Sequence, residues 1–71
     1  NNYGNYGNAT ELRGVVERVD YRDHAIWLRS GRQITRVDVS RRDLHTVRRG
    51  DRVALEGRWT RSGDFEAYRI F

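Results

Sequence analysis

The alternation of apolar residues after a Gly-Asp turn constrains the fold of this chain more than any other feature. Gly50-Asp51 favours a turn, because glycine accepts a positive φ angle and aspartate can bond to nearby backbone amides. After the turn, Val53, Leu55 and Trp59 alternate with polar or small residues. A period of two places these three side chains on one face of a β-strand. We therefore predict a strand whose core face carries Val53, Leu55 and Trp59.

The length and composition indicate one small domain with a thin core. A chain of 71 residues buries only about 60% of the surface that its unfolded form exposes. It has no cysteine, which excludes disulfides and thiolate metal sites and leaves the cellular compartment open. No apolar run approaches the roughly 18 residues of a membrane span. Because the chain begins with Asn1 rather than Met, we expect that an upstream segment, such as a signal peptide, has been removed.

The first residues differ in composition from the rest. Residues 1–9 are rich in Asn, Gly and Tyr, repeat a Tyr-Gly-Asn unit and offer almost nothing to a core. This composition predicts a disordered tail or linker. The domain proper is therefore expected over residues 10–71.

The first predicted strand, residues 11–20, changes its apolar parity midway. Leu12 and Val16 share one parity and Val15 and Val19 the other. Gly14 lies near this change, so we expect a bulge or bend there, as in a sheet that curls into a barrel.

Two further strands follow. In residues 25–29, Ile26 and Leu28 are expected to face inward, and Ala25, Trp27 and Arg29 are expected to face outward. In residues 32–40, one face carries Thr35, Val37 and Val39, and the other carries Ile34, Arg36 and Asp38.

The remaining segments complete the pattern. Leu44 and Val47 suit one or two helical turns, which Ser40 or Asp43 would cap. Gly63 marks a hairpin loop before a last strand over residues 65–71. In that strand Phe65 and Ala67 fit the core face, whereas Ile70 has the opposite parity and requires a kink or shift.

Five strands with one short helix between the third and fourth follow the order of the OB-fold, a five-stranded barrel. We therefore predict an all-β, OB-fold-like barrel. A Gly-Asp-x-Val turn also occurs in SH3-like barrels, which remain the alternative.

The chain also resembles the small OB-type domains of exported or uncharacterised bacterial proteins. The residues that carry this resemblance are 14–20, 25–28, 47–53, 55–57 and 65–70. The resemblance implies a fold and suggests no catalytic positions.

Nothing in the sequence indicates catalysis or a cofactor. The two histidines, His24 and His45, lie in a loop and in the helical turn, and no metal-binding, nucleophile or phosphate-loop motif is present. A barrel of this size also offers little concavity for a substrate. We expect a protein that is not an enzyme and that binds no metal or cofactor.

Charge favours an anionic partner. All 14 basic residues are arginine, and the net charge is +4. OB-folds bind oligomers on the face of strands two and three and through the flanking loops, where aromatic rings stack on bases and arginines meet phosphates. The predicted binding residues are Tyr21, Arg22, Trp27, Arg29, Arg36 and Arg61. The first hypothesis is thus a module for single-stranded nucleic acid or another anionic oligomer.

Plainer interpretations compete with this one. Trp27 can be packed beneath the tail or against the helix, and Tyr21 can form a lid over a barrel end. Arg29 and Arg36 can pair with Asp38 and Glu56 across strands. A second basic cluster near the helix has no aromatic residue in its sequence and is expected to be a solvated surface: Arg41, Arg42, Arg48, Arg49 and Arg52.

The second hypothesis is an exported, periplasmic or surface domain that contacts proteins or acts as a spacer. The Tyr-Gly-Asn tail, the missing Met and the resemblance to exported domains motivate it. Ile34, an apolar residue on the outward face of strand three, fits a protein contact equally well. The sequence leaves export and a cytoplasmic location equally open.

Overall fold

The computed structural model describes residues 10–71, and the predicted tail of residues 1–9 lies outside them. The described residues form five strands and one short helix. In chain order these are β1 Thr10–Asp20, β2 Ala25–Ser30, β3 Gln33–Asp38, α1 Arg41–Leu44, β4 Arg52–Trp59 and β5 Phe65–Ile70. The helix stands between the third and fourth strands, as the sequence predicts.

The strands close into a barrel in the order β1-β2-β3-β5-β4, with β4 pairing back onto β1. Every pairing is antiparallel except that of β3 with β5, which is parallel and joins Val37 to Phe65 and Asp38 to Glu66. The fold is therefore the predicted all-β, five-stranded OB-like barrel, and the position of the helix favours it over the SH3-like alternative.

The core lies inside the barrel and follows the predicted alternation of β2 and β3, except that Ala25, which was expected on the outward face, is fully buried. Ile26 and Leu28 are fully buried, as are Val37 of β3 and Phe65 of β5. Thr35 is the buried polar residue of this core, with 5% exposure. The remaining buried apolar side chains are Val16, Ala25, Val39, Leu44, Val47, Val53 and Leu55.

A β-bulge in β1 reverses the inward face of that strand. Val16 lies opposite Leu28 and Arg18 lies opposite Trp27, so Glu17 is an extra residue in β1. The predicted change of face is confirmed, but its predicted position at Gly14 is wrong. Gly14 instead allows close approach of β2, since a Cβ atom there would collide with the carbonyl oxygen of Arg29.

The turn before β4 is bonded to β1. Gly50 adopts a φ of 95°, and the side chain of Asp51 accepts a hydrogen bond from the Arg48 amide at 2.9 Å. The Gly50 amide donates to the Val16 carbonyl at 2.7 Å, and the Val16 amide donates to the Asp51 carbonyl at 2.9 Å. These bonds anchor the turn along β1.

The short helix α1 is capped as the sequence predicts. The Ser40 hydroxyl accepts a hydrogen bond from the Asp43 amide at 3.1 Å, which satisfies one of the free donors at the helix start. Leu44 and Val47 are buried and join the core. The helix therefore contributes one apolar side to the core.

Trp59 does not belong to the core, so its predicted placement is wrong. It is the last residue of β4, where the chain leaves the barrel for the loop of residues 60–64, and its exposure is 43%. Its indole meets the ring of Phe65 edge-on, with centroids 5.2 Å apart. The alternation of β4 is predicted correctly, but at the end of this strand the side chain of Phe65, and not that of Trp59, fills the interior.

A second bulge, in β5, explains the position of Ile70. Gly57 of β4 pairs with Ala67, whereas Glu56 pairs with Arg69, so Tyr68 is the extra residue. Ile70 then lies opposite Leu55 and packs against the core. The predicted shift in this strand is confirmed.

We expect Gly57→Ala to destabilise the barrel by about 1–3 kcal/mol, the range typical of overpacking. A Cβ atom at this position would collide with the Glu66 carbonyl oxygen and come within 2.9 Å of the Ala67 Cα atom. Urea unfolding followed by circular dichroism measures the change. The control is the neighbouring Glu56→Ala, which removes an exposed ion pair and is expected to cost less than about 1 kcal/mol. Equal effects of the two substitutions would contradict the close packing of β4 on β5.

Candidate ligand-binding face

The outer face of β1, β2 and β3 carries a tryptophan between two arginines. Arg18 of β1 and Arg36 of β3 both pair in register with Trp27 of β2. Residues directly opposite each other in antiparallel strands project to the same side. The three side chains therefore form one row across the sheet, which we call the Trp27 row. The Glu17 bulge is essential to this row, because it turns Arg18 outward.

Trp27 is half-buried, and part of its surface is open to solvent. The predicted outward orientation of this side chain agrees with its register, since its neighbours Ile26 and Leu28 are both in the core. The indole can therefore offer part of its surface to a ligand.

Arg36 is held by two carboxylates. Its guanidinium group donates to Asp38 at 2.6 Å and to Asp64 in the β4–β5 loop at 3.4 Å. Partial burial lowers the pKa of Arg36, but attraction to Asp38, Asp64 and Asp23 outweighs this effect and the net pKa is raised. Arg36 thus joins β3 to the β4–β5 loop, and its charge is largely compensated within the protein.

Arg29 is also paired, although with a different residue from those considered in the sequence. Its Nε donates to Glu17 at 2.6 Å, and Glu56 pairs instead with Arg69 at 2.9 Å. The Arg29 and Glu17 side chains are 47% and 39% exposed. Exposed pairs contribute only about 0–1 kcal/mol, so an incoming anion can compete for Arg29.

The arginines divide into paired and unpaired groups by their position in the fold. Each strand has one arginine in an ion pair: Arg13, Arg29, Arg36, Arg58 and Arg69. Within residues 10–71 the other arginines form no ion pair: Arg18, Arg22, Arg32, Arg41, Arg42, Arg48, Arg49, Arg52 and Arg61. Of these, only Arg18 and Arg52 lie in strands. The uncompensated positive charge is therefore concentrated in the loops and around α1.

The predicted loop residues lie at the surface. Tyr21 is 56% exposed, and its ring centroid lies 5.9 Å from that of His45. Arg22 is exposed in the same loop, which is stabilised by bonds from the Arg22 and Asp23 amides to the Asp20 side chain. Arg61 is exposed in the loop of residues 60–64.

Three arginines that the sequence does not assign to the site lie on this face or beside it. A groove of about 500 Å³ is lined by Glu17, Arg18, Val19, Tyr21, Arg48 and Arg49, and we call it the β1 groove. The parity of β1 could have identified Arg18 only with the bulge placed correctly. Arg48 and Arg49 belong to the second basic cluster, and the structure brings Tyr21 beside them.

Residues 10–71 contain no cluster of three His, Cys, Asp or Glu side chains suited to a metal ion. Over the same residues, no helix has the length and apolar character needed to cross a membrane.

Comparison with known proteins does not assign a family. No protein-family model matches the chain, and no curated protein matches it significantly. The resemblance to exported OB-type domains therefore stays a prediction.

We expect acrylamide to quench Trp59 fluorescence more strongly than Trp27 fluorescence. Trp59 is 43% exposed, whereas Trp27 is half-buried within the sheet. The variants Trp27→Phe and Trp59→Phe each retain one emitter, and their Stern–Volmer constants are compared directly. Stronger quenching of Trp27 would contradict its placement, and urea-unfolded samples of both variants provide the fully exposed reference.

Proposed function

We propose that this domain is a non-enzymatic module that binds single-stranded nucleic acid or a related anionic oligomer. The single observation that supports the proposal is the Trp27 row, an aromatic side chain set between Arg18 and Arg36 on the central strand of an open face. Aromatic rings that stack on bases and arginines that meet the backbone are the two requirements of such sites.

The energetics of the face favour a contribution from Trp27. Stacking of one base on an aromatic side chain is worth about 1–3 kcal/mol and tolerates any base, because every base has a π face. The partial burial of Trp27 restricts its motion before the ligand arrives, which lowers the entropic cost of binding. The proposed ligand is therefore read by stacking rather than by sequence.

The arginines contribute unequally to the proposed site. Arg18, Arg22 and Arg61 form no ion pair within residues 10–71 and are exposed, so each is available to a phosphate. Arg29 and Arg36 reach a phosphate only in competition with their carboxylate partners. We therefore expect a modest number of phosphate contacts and a correspondingly modest dependence on salt.

We expect Trp27→Leu to weaken oligonucleotide binding by about 5–150-fold, which corresponds to the loss of 1–3 kcal/mol of stacking. Leucine keeps apolar bulk on the face but removes the π surface. Fluorescence anisotropy of a labelled oligothymidylate of about 12 nucleotides, within the site sizes known for OB-folds, measures the affinity at two salt concentrations. Trp59→Leu removes the second indole, 43% exposed, and is the matched control.

Failure of the wild-type chain to bind the oligonucleotide would refute the proposal, as would equal losses in the two leucine variants. In either case the alternative of a protein-contacting domain would gain support. Ile34 favours that alternative, since it is 53% exposed and stands opposite Arg29 on the same outer face. Export and localisation stay predictions in both cases.

A further inference from the structure

We infer that the β1 groove is a phosphate-binding subsite, in which Arg18, Arg48 and Arg49 hold the backbone of the single strand that passes over Trp27. This inference rests on the proposed function and adds to it a second surface, one that lies outside the face of β2 and β3. The loop that follows α1 supplies two of its three cations.

The first argument is charge. The groove places three exposed guanidinium groups around about 500 Å³, and none of them forms an ion pair within residues 10–71. The arginines paired on the strands are compensated, whereas Arg18, Arg48 and Arg49 lie together without an ion-pair partner within residues 10–71. Such a concentration of like charge is unfavourable in the free protein and is relieved by a bound polyanion.

The second argument is that the nearby carboxylates are already engaged. Glu17 also lines the groove but accepts a bond from Arg29 at 2.6 Å. Asp51 accepts from the Arg48 amide at 2.9 Å, and Asp20 accepts from two amides of its own loop. These acids therefore organise backbone and neighbouring side chains, and the guanidinium groups of the groove remain available.

The third argument is preorganisation. The two backbone hydrogen bonds between Val16 and the turn of Gly50 and Asp51, at 2.7 and 2.9 Å, fix the segment that carries Arg48 and Arg49 beside β1. The side chains thus project from an anchored backbone rather than from a free loop. Arginine presents a planar fork of donors that matches the oxygens of a phosphate.

The fourth argument distinguishes a nucleic acid from a simple anion. Tyr21 lines the groove, is 56% exposed, and has its ring 5.9 Å from that of His45. The groove therefore offers an aromatic surface beside its cations. Arg18 belongs both to the groove and to the Trp27 row, so the two surfaces are continuous and suit one extended ligand.

We expect the double variant Arg48→Ala/Arg49→Ala to bind the 12-nucleotide oligothymidylate more weakly. It should also reduce the slope of log affinity against log salt by about 1.4, since each phosphate contact on a single strand contributes about 0.7. The matched control is Arg41→Ala/Arg42→Ala, which removes the same charge from α1 but from residues that do not line the groove. The control should change the slope by less than about half as much. Tyr21→Leu should weaken binding without changing the slope.

The outcomes separate this inference from the proposed function. If the two double variants show the same slope of log affinity against log salt while Trp27→Leu still weakens binding, the β1 groove alone is overturned. If Arg48→Ala/Arg49→Ala reduces the salt slope while Trp27→Leu binds with wild-type affinity, the groove is supported and the Trp27 row is overturned. No binding of the oligonucleotide by the wild-type chain, or binding only to vesicles rich in phosphatidylglycerol, would overturn both.

Discussion

The structure depends on one long strand that must pair with two partners to close a small barrel. The first half of β1 pairs with β4 and the second half with β2, and the Glu17 bulge lies in the second half. A bulge bends a strand and increases its twist, which is what barrel closure requires. It also places both Val16 and Val19 against the core while Arg18 points outward opposite Trp27. The same extra residue thus serves the packing of the interior and the composition of the outer face.

Charge in this protein is arranged by structural element. Carboxylates along the barrel compensate one arginine on each strand, and two others, those of Asp20 and Asp51, accept hydrogen bonds from turn amides. The excess of arginine therefore remains at loops and at the short helix. Glu17 illustrates the connection, since the residue that creates the bulge also neutralises Arg29. A net charge of +4 by itself does not reveal this distribution, because the location of the excess depends on long-range pairing.

The sequence predicts the fold better than the site, for physical reasons. Alternation identifies inward residues such as Ile26 and Leu28, because the pleat of a strand has a period of two. Alternation does not indicate where a strand leaves the barrel, so Trp59 was expected in the interior although it lies at the rim. Bulges and ion pairs depend on partners distant in sequence, which is why Glu17 and its contact with Arg29 escaped prediction. The sequence does not predict the β1 groove for the same reason, because the groove brings residues of β1 together with Arg48 and Arg49, which are distant in sequence.

The parallel junction of β3 and β5 makes the closure of the barrel vulnerable. Within residues 10–71 it consists of two residue pairs, Val37–Phe65 and Asp38–Glu66. The ion pair between Arg36 and Asp64 also connects β3 to the residue that precedes β5. Junctions with few backbone bonds are the least costly to open. If the barrel opened here, β3 and β5 would become edge strands with unpaired backbone groups. Each edge could then pair with a strand of another molecule. The short β3–β5 ladder therefore keeps the backbone groups of both strands paired within one molecule.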